Sequence, residues 1–82
     1  MTTDTLAEEA DRHVLEALRR MGLPASFTPT TLATPQVSAP RVSQALARLV
    51  RRQAIVAESY RFAQVTRWTV SDINPESYWR RK

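Results

Sequence analysis

Apolar residues recur with a helical period over the first 52 residues of this chain, and the pattern becomes strand-like after residue 53. On the first predicted helix they follow one another at intervals of four or three, and they are Leu6, Ala10, Val14, Leu18 and Met21. Such spacing places them on one helical face. Residues 55–57 and 65–70 are instead rich in β-branched and aromatic side chains, which favour strands. The order predicts an α+β fold in which helices precede a two-stranded β-hairpin.

Length and composition restrict the class of protein. The chain has 82 residues, of which 43% are hydrophobic and 24% charged, so we expect one folded domain over residues 1–82. The absence of cysteine excludes disulfides and the common zinc sites, and a single glycine excludes a glycine-rich phosphate loop. No apolar run approaches the roughly 18–20 residues of a membrane helix. We therefore expect a cytoplasmic, non-enzymatic binding module that uses no metal, cofactor, small-molecule ligand or membrane.

Helix one is predicted over about residues 5–21. Thr5 and Glu8 have the spacing of a capping box, in which each side chain accepts a hydrogen bond from an amide of the first turn. Gly22 supplies the stop, because glycine tolerates the left-handed conformation that ends many helices.

Two further helices follow. Helix two is predicted over about residues 29–34, between the N-cap Thr28 and the helix breaker Pro35. Helix three is predicted over about residues 39–52 from the N-cap Ser38. Its apolar face consists of Val42, Ala45, Leu46, Leu49 and Val50.

The remainder of the chain is predicted to form a hairpin over about residues 55–70 and a tail over residues 71–82. Residues 58–64 contain no glycine, asparagine or proline, so a longer, looser tip is expected rather than a tight two-residue turn. Gln53 stands where a left-handed residue would end helix three, at a strain of about 1 kcal/mol.

The tail contains a signal for one more helical turn. Asn74, Pro75 and Glu76 are able to start it, and the turn would carry Tyr78 and Trp79. Because this aromatic pair stands beside a basic end, it is a candidate for docking a second subunit.

Charge is distributed unevenly along the chain, whose net charge is +4. Residues 1–16 contain five acids and one arginine, whereas residues 17–57 contain six arginines and no acid. Residues 58–82 carry five basic and three acidic residues. Such polarity allows one surface to attract a polyanion while another repels it, although an unevenly charged solvated surface explains the same counts.

Residues 31–57 resemble the winged helix-turn-helix DNA-binding regulators of bacteria, the MarR-like and related groups. The segments that carry the likeness are Leu32-Ala33, Val37-Ser38, Val42-Ser43-Gln44-Ala45-Leu46, Leu49-Val50-Arg51-Arg52 and Ile55-Val56. The resemblance implies three helices followed by a hairpin wing, with helix three in a major groove. The chain departs from the pattern of these regulators at two points, and both bear on the angle at which helix three would meet DNA. Only three residues separate Ala33 from Val37, and Gln53 replaces the usual glycine.

The side chains of helix three suit a DNA surface. Ser38, Arg41 and Gln44 lie near its N-terminal end and are expected to contact bases, whereas Arg48 and the arginines after it are expected to contact phosphates. Arg61, near the tip of the wing, either enters a minor groove or keeps the hairpin soluble. The complete candidate set is Ser38, Pro40, Arg41, Ser43, Gln44, Arg48, Arg51, Arg52 and Arg61.

These features favour a sequence-specific double-stranded DNA-binding protein, a small bacterial or phage transcriptional regulator that acts as a homodimer. The interface of the dimer is expected at helix one or at the C-terminal tail. One alternative is a protein–protein module that uses the acidic first helix, and another is DNA binding without sequence preference. The only histidine, His13, lies one turn after Glu9, and this pair is interpreted as an exposed ion pair rather than a catalytic one.

Overall fold

The computed structural model describes residues 2–74 and 76–77, with side chains from residue 7 onward. This part of the chain has an α+β fold of three helices and a three-stranded antiparallel sheet with strand order β1–β3–β2. The elements in chain order are α1 (Thr2–Met21), β1 (Ala25–Phe27), α2 (Pro29–Leu32), α3 (Ala39–Arg51), β2 (Ile55–Phe62) and β3 (Val65–Ile73).

The third strand corrects the expectation of a two-stranded sheet. β1 pairs antiparallel with β3, so that Ala25 lies opposite Val70 and Phe27 lies opposite Trp68. Ala25 and Phe27 are buried, whereas Ser26 between them is exposed. Three residues are too few for a periodic signal, so the sequence pattern does not reveal β1.

The start of α1 also differs from the prediction. The helix begins at Thr2, so Thr5 lies inside it and the capping box at residue 5 is wrong. Threonine and aspartate at positions 2–4 suit a first helical turn as well as Thr5 does. The predicted end is confirmed, since Gly22 has φ +80° and its amide donates to the carbonyl of Leu18 at 3.3 Å.

α2 ends two residues earlier than predicted. Ala33 is extended, with φ −70° and ψ 147°. Thr34 precedes Pro35, and a residue in that position is driven out of the helical region. The hydroxyl of Thr34 accepts hydrogen bonds from the amides of Gln36 at 3.2 Å and Val37 at 3.0 Å, which close the turn before α3.

The C-terminus of α3 confirms the left-handed position of Gln53, whose φ is 63°. Its amide donates to the carbonyl of Val50 at 3.0 Å, and the amide of Ala54 donates to the carbonyl of Leu49 at 2.8 Å. These two bonds form a Schellman motif, which satisfies the last carbonyls of the helix.

The hairpin turn contradicts the predicted loose tip. Only Ala63 and Gln64 separate β2 from β3, and their φ values of 52° and 66° are both left-handed. This is the geometry of a two-residue type I′ turn. Left-handed backbone costs roughly 1–2 kcal/mol for each such residue, and the continuous strand pairing from Phe62 and Val65 toward the core compensates for it.

The core lies between α1, α3 and one face of the sheet. Its largest fully buried aliphatic side chains are Val14, Leu18, Val42, Leu46, Leu49 and Val70. Met21 and Val50, which the helical pattern assigned to apolar faces, are 42% and 36% exposed at the margins of that core.

A hydrogen-bonded turn follows β3, as predicted. The amide of Ser77 donates to the carbonyl of Asn74 at 3.0 Å, and the Nδ2 of Asn74 donates to the Oγ of Ser77 at 2.8 Å. Tyr78 and Trp79 lie outside the described residues. Across the described part of the chain, no helix combines the length and apolar character needed to span a membrane.

Candidate nucleic-acid interface

One side of α3 is exposed along the whole helix. Pro40, Gln44, Ala47 and Arg51 follow one another at intervals of four, three and four, and all four are exposed. We call these four residues the α3 stripe. The opposite side of α3 is fully buried at Val42, Ala45, Leu46 and Leu49, so packing against the core fixes which face points outward. The small Ala47 in the middle allows the helix backbone to approach a partner closely.

The N-terminus of α3 adds hydrogen-bond donors beside the stripe. Ser38 is the N-cap, is exposed, and makes no side-chain cap hydrogen bond. Amides of a first helical turn have no partner within the helix, and here Pro40 removes one of them. The amides of Ala39 and Arg41 and the hydroxyl of Ser38 are therefore grouped where the helix dipole favours an anion.

The structure places Arg48 differently from the expectation that it faces solvent. Its guanidinium is ion-paired with Asp11 of α1 at 2.8 Å, and the side chains of Arg48 and Asp11 are 26% and 2% exposed. It also donates to the carbonyl of Ala7 at 3.4 Å. Arg48 therefore joins α1 to α3 and does not lie among the exposed residues of the α3 stripe.

The other predicted arginines lie at the surface around the stripe. Arg51 and Arg52 are exposed at the C-terminal end of α3, whereas Arg41 and Ser43 are half-buried at its N-terminal end. Arg61 is exposed on β2, opposite Thr66 of β3. Among the described residues no ion pair involves Arg41, Arg51 or Arg61.

A groove of about 540 Å³ connects the hairpin turn with the N-terminus of α3. It brings together groups that are distant in the sequence, and its lining consists of Thr28, Pro29, Thr30, Ala39, Pro40, Ser43, Gln64, Val65 and Thr66. The sequence analysis missed the threonines and Gln64, because their proximity depends on the tight turn. The cluster of threonines at the start of α2 was the only signal that the sequence offered.

His13 makes a different contact from the predicted one with Glu9. Its Nε2 lies 2.7 Å from the carbonyl oxygen of Leu32, and the side chain is half-buried between α1 and α2. This bond satisfies a carbonyl at the end of α2 and helps to fix α2 against α1. In the part of the chain that the structure describes, no group of histidine and carboxylate side chains has the arrangement of a metal site.

The acidic character of α1 is only partly available at the surface. Asp11 is buried against Arg48, while Glu9 and Glu16 are exposed. Glu9 and Glu16 are therefore the exposed acids among the described side chains of α1.

No family model, curated protein or solved structure matches this chain.

Proposed function

We propose that the protein is a winged helix-turn-helix regulator that binds double-stranded DNA by inserting the α3 stripe into a major groove. The observation that carries the proposal is the exposure of Gln44 and Arg51 on one side of a helix that contains no acid. Residues 17–57 as a whole contain no acid either, so nothing in this segment repels a phosphate backbone.

The order of elements supports the winged-helix part of the proposal. Three helices precede the β2–β3 hairpin, which takes the place of the wing, and α2 and α3 are joined by a short turn. β1 adds a short strand to the wing sheet without covering the stripe. The likeness of residues 31–57 to the MarR-like groups points in the same direction.

In the proposed complex the two ends of α3 have different tasks. Gln44 and Arg41 are near the N-terminal end, where a glutamine amide can pair with adenine and an arginine with guanine. Pro40 and Ser43 line the contact, and Ser38 with the free amides of the first turn binds a phosphate. Arg51 and Arg52 at the other end contact phosphates, which positions the helix without selecting sequence. Arg48 has no part in the interface, because Asp11 holds it.

The wing contributes the second contact. The groove between the hairpin turn and α3 shows that the two are neighbours, so DNA bound to α3 passes close to the turn. Arg61 is exposed in β2 and supplies a cation there. We propose that two copies bind paired half-sites, as regulators of this kind do.

Selection of bound sequences from a random duplex pool tests the proposal. The wild-type protein is expected to enrich one motif, and Arg51→Ala is expected to lower recovery of all sequences. The matched control is Arg19→Ala, which removes an exposed arginine from α1 and should leave recovery unchanged. Recovery without an enriched motif would indicate nonspecific binding. No recovery at all, with a folded protein, would overturn the proposal in favour of a protein-docking module.

A further inference from the structure

The β2–β3 hairpin has an apolar face that no described residue covers. Most of the exposed large hydrophobic side chains of the described chain lie on it, with exposed fractions of 60% for Val56, 57% for Tyr60, 79% for Phe62 and 50% for Val65. Phe62 lies opposite Val65 and Tyr60 lies opposite Arg67, so these side chains share the face that points away from the core. An exposed apolar cluster of this kind marks an interaction surface.

The same hairpin has a free strand edge. Strand order β1–β3–β2 leaves β2 without a neighbour on one side. Because Phe62 and Val65 close a two-residue turn, they exchange both backbone hydrogen bonds, and the even-numbered residues of β2 bond toward β3. The carbonyl of Val56, which accepts from the Oγ of Ser71 at 3.2 Å, agrees with this alternation. The amides and carbonyls of Ile55, Ala57, Ser59 and Arg61 therefore point to this side of β2. Ile55 is only 3% exposed, so the backbone groups that a partner can reach at the free edge are those of Ala57, Ser59 and Arg61.

We propose that this edge and face bind a second copy of the chain, with the two β2 strands antiparallel and the twofold axis at Ser59. The three accessible outward-pointing residues are symmetric about Ser59, so this register pairs Ser59 with itself and Ala57 with Arg61 of the second copy. The backbone groups of Ala57, Ser59 and Arg61 on both edges are then all used. The inference rests on the proposed function, because it supplies the dimer that paired half-sites require.

Side chains in this register are self-complementary. Val56 meets Phe62 of the second copy on the outer face, so the most exposed ring covers an exposed aliphatic side chain. Glu58 meets Tyr60 of the second copy, and Arg67 of that copy lies one strand further on. Among the described residues, Glu58 and Arg67 have no ion-pair partner. Because this face carries both an acidic and a basic side chain, it is complementary to a second copy of itself. A polyanion would be repelled by the acidic one.

The size of the contact predicts a weak dimer. Burial of the exposed parts of Tyr60 and Phe62 removes roughly 200–340 Å² per copy from water. A standard stable interface buries about 800 Å² per partner. The dimer is therefore reversible in solution and is strengthened when one DNA molecule holds both copies. This places the interface at the hairpin instead of at α1 or the tail, where the sequence analysis expected it.

Sedimentation velocity of the full chain without DNA, from low to several hundred micromolar, tests the interface. The wild-type protein is expected to shift from monomer to dimer. Phe62→Arg places a charge in the apolar contact and should keep the chain monomeric. Ser59→Pro should do the same, because it removes an outward-pointing amide and leaves the bonds to β3 intact. Ser26→Arg adds a charge to the same sheet face at the other edge and should still dimerise.

A wild-type chain that stays monomeric, or a dimer that Phe62→Arg leaves intact, overturns the interface. If Ser59→Pro does not fold by circular dichroism, Phe62→Arg and Ser26→Arg decide the question. Binding to a duplex with a single half-site separates this proposal from DNA recognition. Unchanged affinity of Phe62→Arg for that duplex supports self-pairing, whereas a loss of tenfold or more means that DNA covers the face and overturns it. Failure of every variant and of the wild type to bind DNA overturns the proposed function, while sedimentation still reports on the dimer.

Discussion

Both carboxylate oxygens of Asp11 in α1 accept hydrogen bonds from Arg48 in α3, Oδ1 from Nη2 at 2.8 Å and Oδ2 from Nε at 3.3 Å. Asp11 is 2% exposed, so its charge depends on this one arginine for compensation. The bidentate geometry fixes both the separation and the rotation of the two helices. It therefore supports the orientation of α3 that the packing of its buried face sets.

Loss of Arg48 is expected to destabilise the fold strongly. Arg48→Met leaves a buried carboxylate without a partner and should lower the free energy of unfolding by about 3–5 kcal/mol. Arg51→Met, at an exposed position of the same helix, should change it by less than about 0.5 kcal/mol. Urea denaturation measures both. Equal effects of the two substitutions would show that the Asp11 contact does not hold α1 on α3.

The two left-handed regions predict stabilising substitutions, of which the first is at the end of α3. Gln53→Gly should raise the free energy of unfolding by up to about 1 kcal/mol, since glycine adopts φ 63° without strain. The control is the same substitution inside the helix, Gln44→Gly, which should lower it by about 0.5–1 kcal/mol. If chemical denaturation gives changes of opposite sign in the free energy of unfolding for the two variants, the Schellman motif at the end of α3 is confirmed. Destabilisation by both substitutions would contradict it.

The second left-handed region is the hairpin turn. Replacing Ala63 and Gln64 together by Asn and Gly provides the residues that a type I′ turn prefers. We expect the thermal midpoint to rise by several degrees, equivalent to about 1 kcal/mol in a domain of this size. A lower midpoint would mean that the tip is not a two-residue turn.

Sequence analysis predicted the helices well wherever an amphipathic pattern was long. The bounds of α3 and the conformation of Gln53 followed from periodicity and from the position of a helix end. The short strand β1 and the tight turn at residues 63–64 could not be predicted, because their local sequences favour neither structure. β1 is held by its pairing with β3, and the turn is held by the pairing of β2 with β3, so in both places strand pairing outweighs local preference.

The candidate site, like the fold, could be predicted from the sequence only in part. The exposed side of α3 followed from the buried positions of its apolar residues, whereas the pairing of Arg48 depends on a residue 37 positions away. One signal was present in the sequence. Asp11 lies four residues before Leu15 and seven before Leu18, which puts a carboxylate on the buried face of α1. An acid in such a place is almost never buried without a paired cation, so its position indicated a basic partner from another part of the chain.

Base recognition by α3 predicts a change in specificity without a change in general affinity. Gln44→Ala should relax the preference at one base pair per half-site, at a cost of about 1–3 kcal/mol of discrimination. Its salt dependence should stay as in the wild type, since no charge is removed. Competition titrations against sites with single-base changes measure this. Unaltered preference would mean that another face of α3 meets the bases.

The salt dependence of DNA binding tests the central claim most directly. A fluorescence-anisotropy titration of a labelled duplex is repeated over a range of monovalent salt concentrations. If three or four arginines of each copy contact phosphates, each contact contributes about 0.9 to the salt dependence. A plot of the logarithm of the binding constant against the logarithm of the salt concentration should then have a slope of roughly −3 to −4 per copy. Arg51→Ala should reduce its magnitude by about one, and Arg19→Ala should not change it. A slope near zero, or a slope that Arg51→Ala leaves intact, would contradict the assignment of the α3 stripe as the DNA-binding surface.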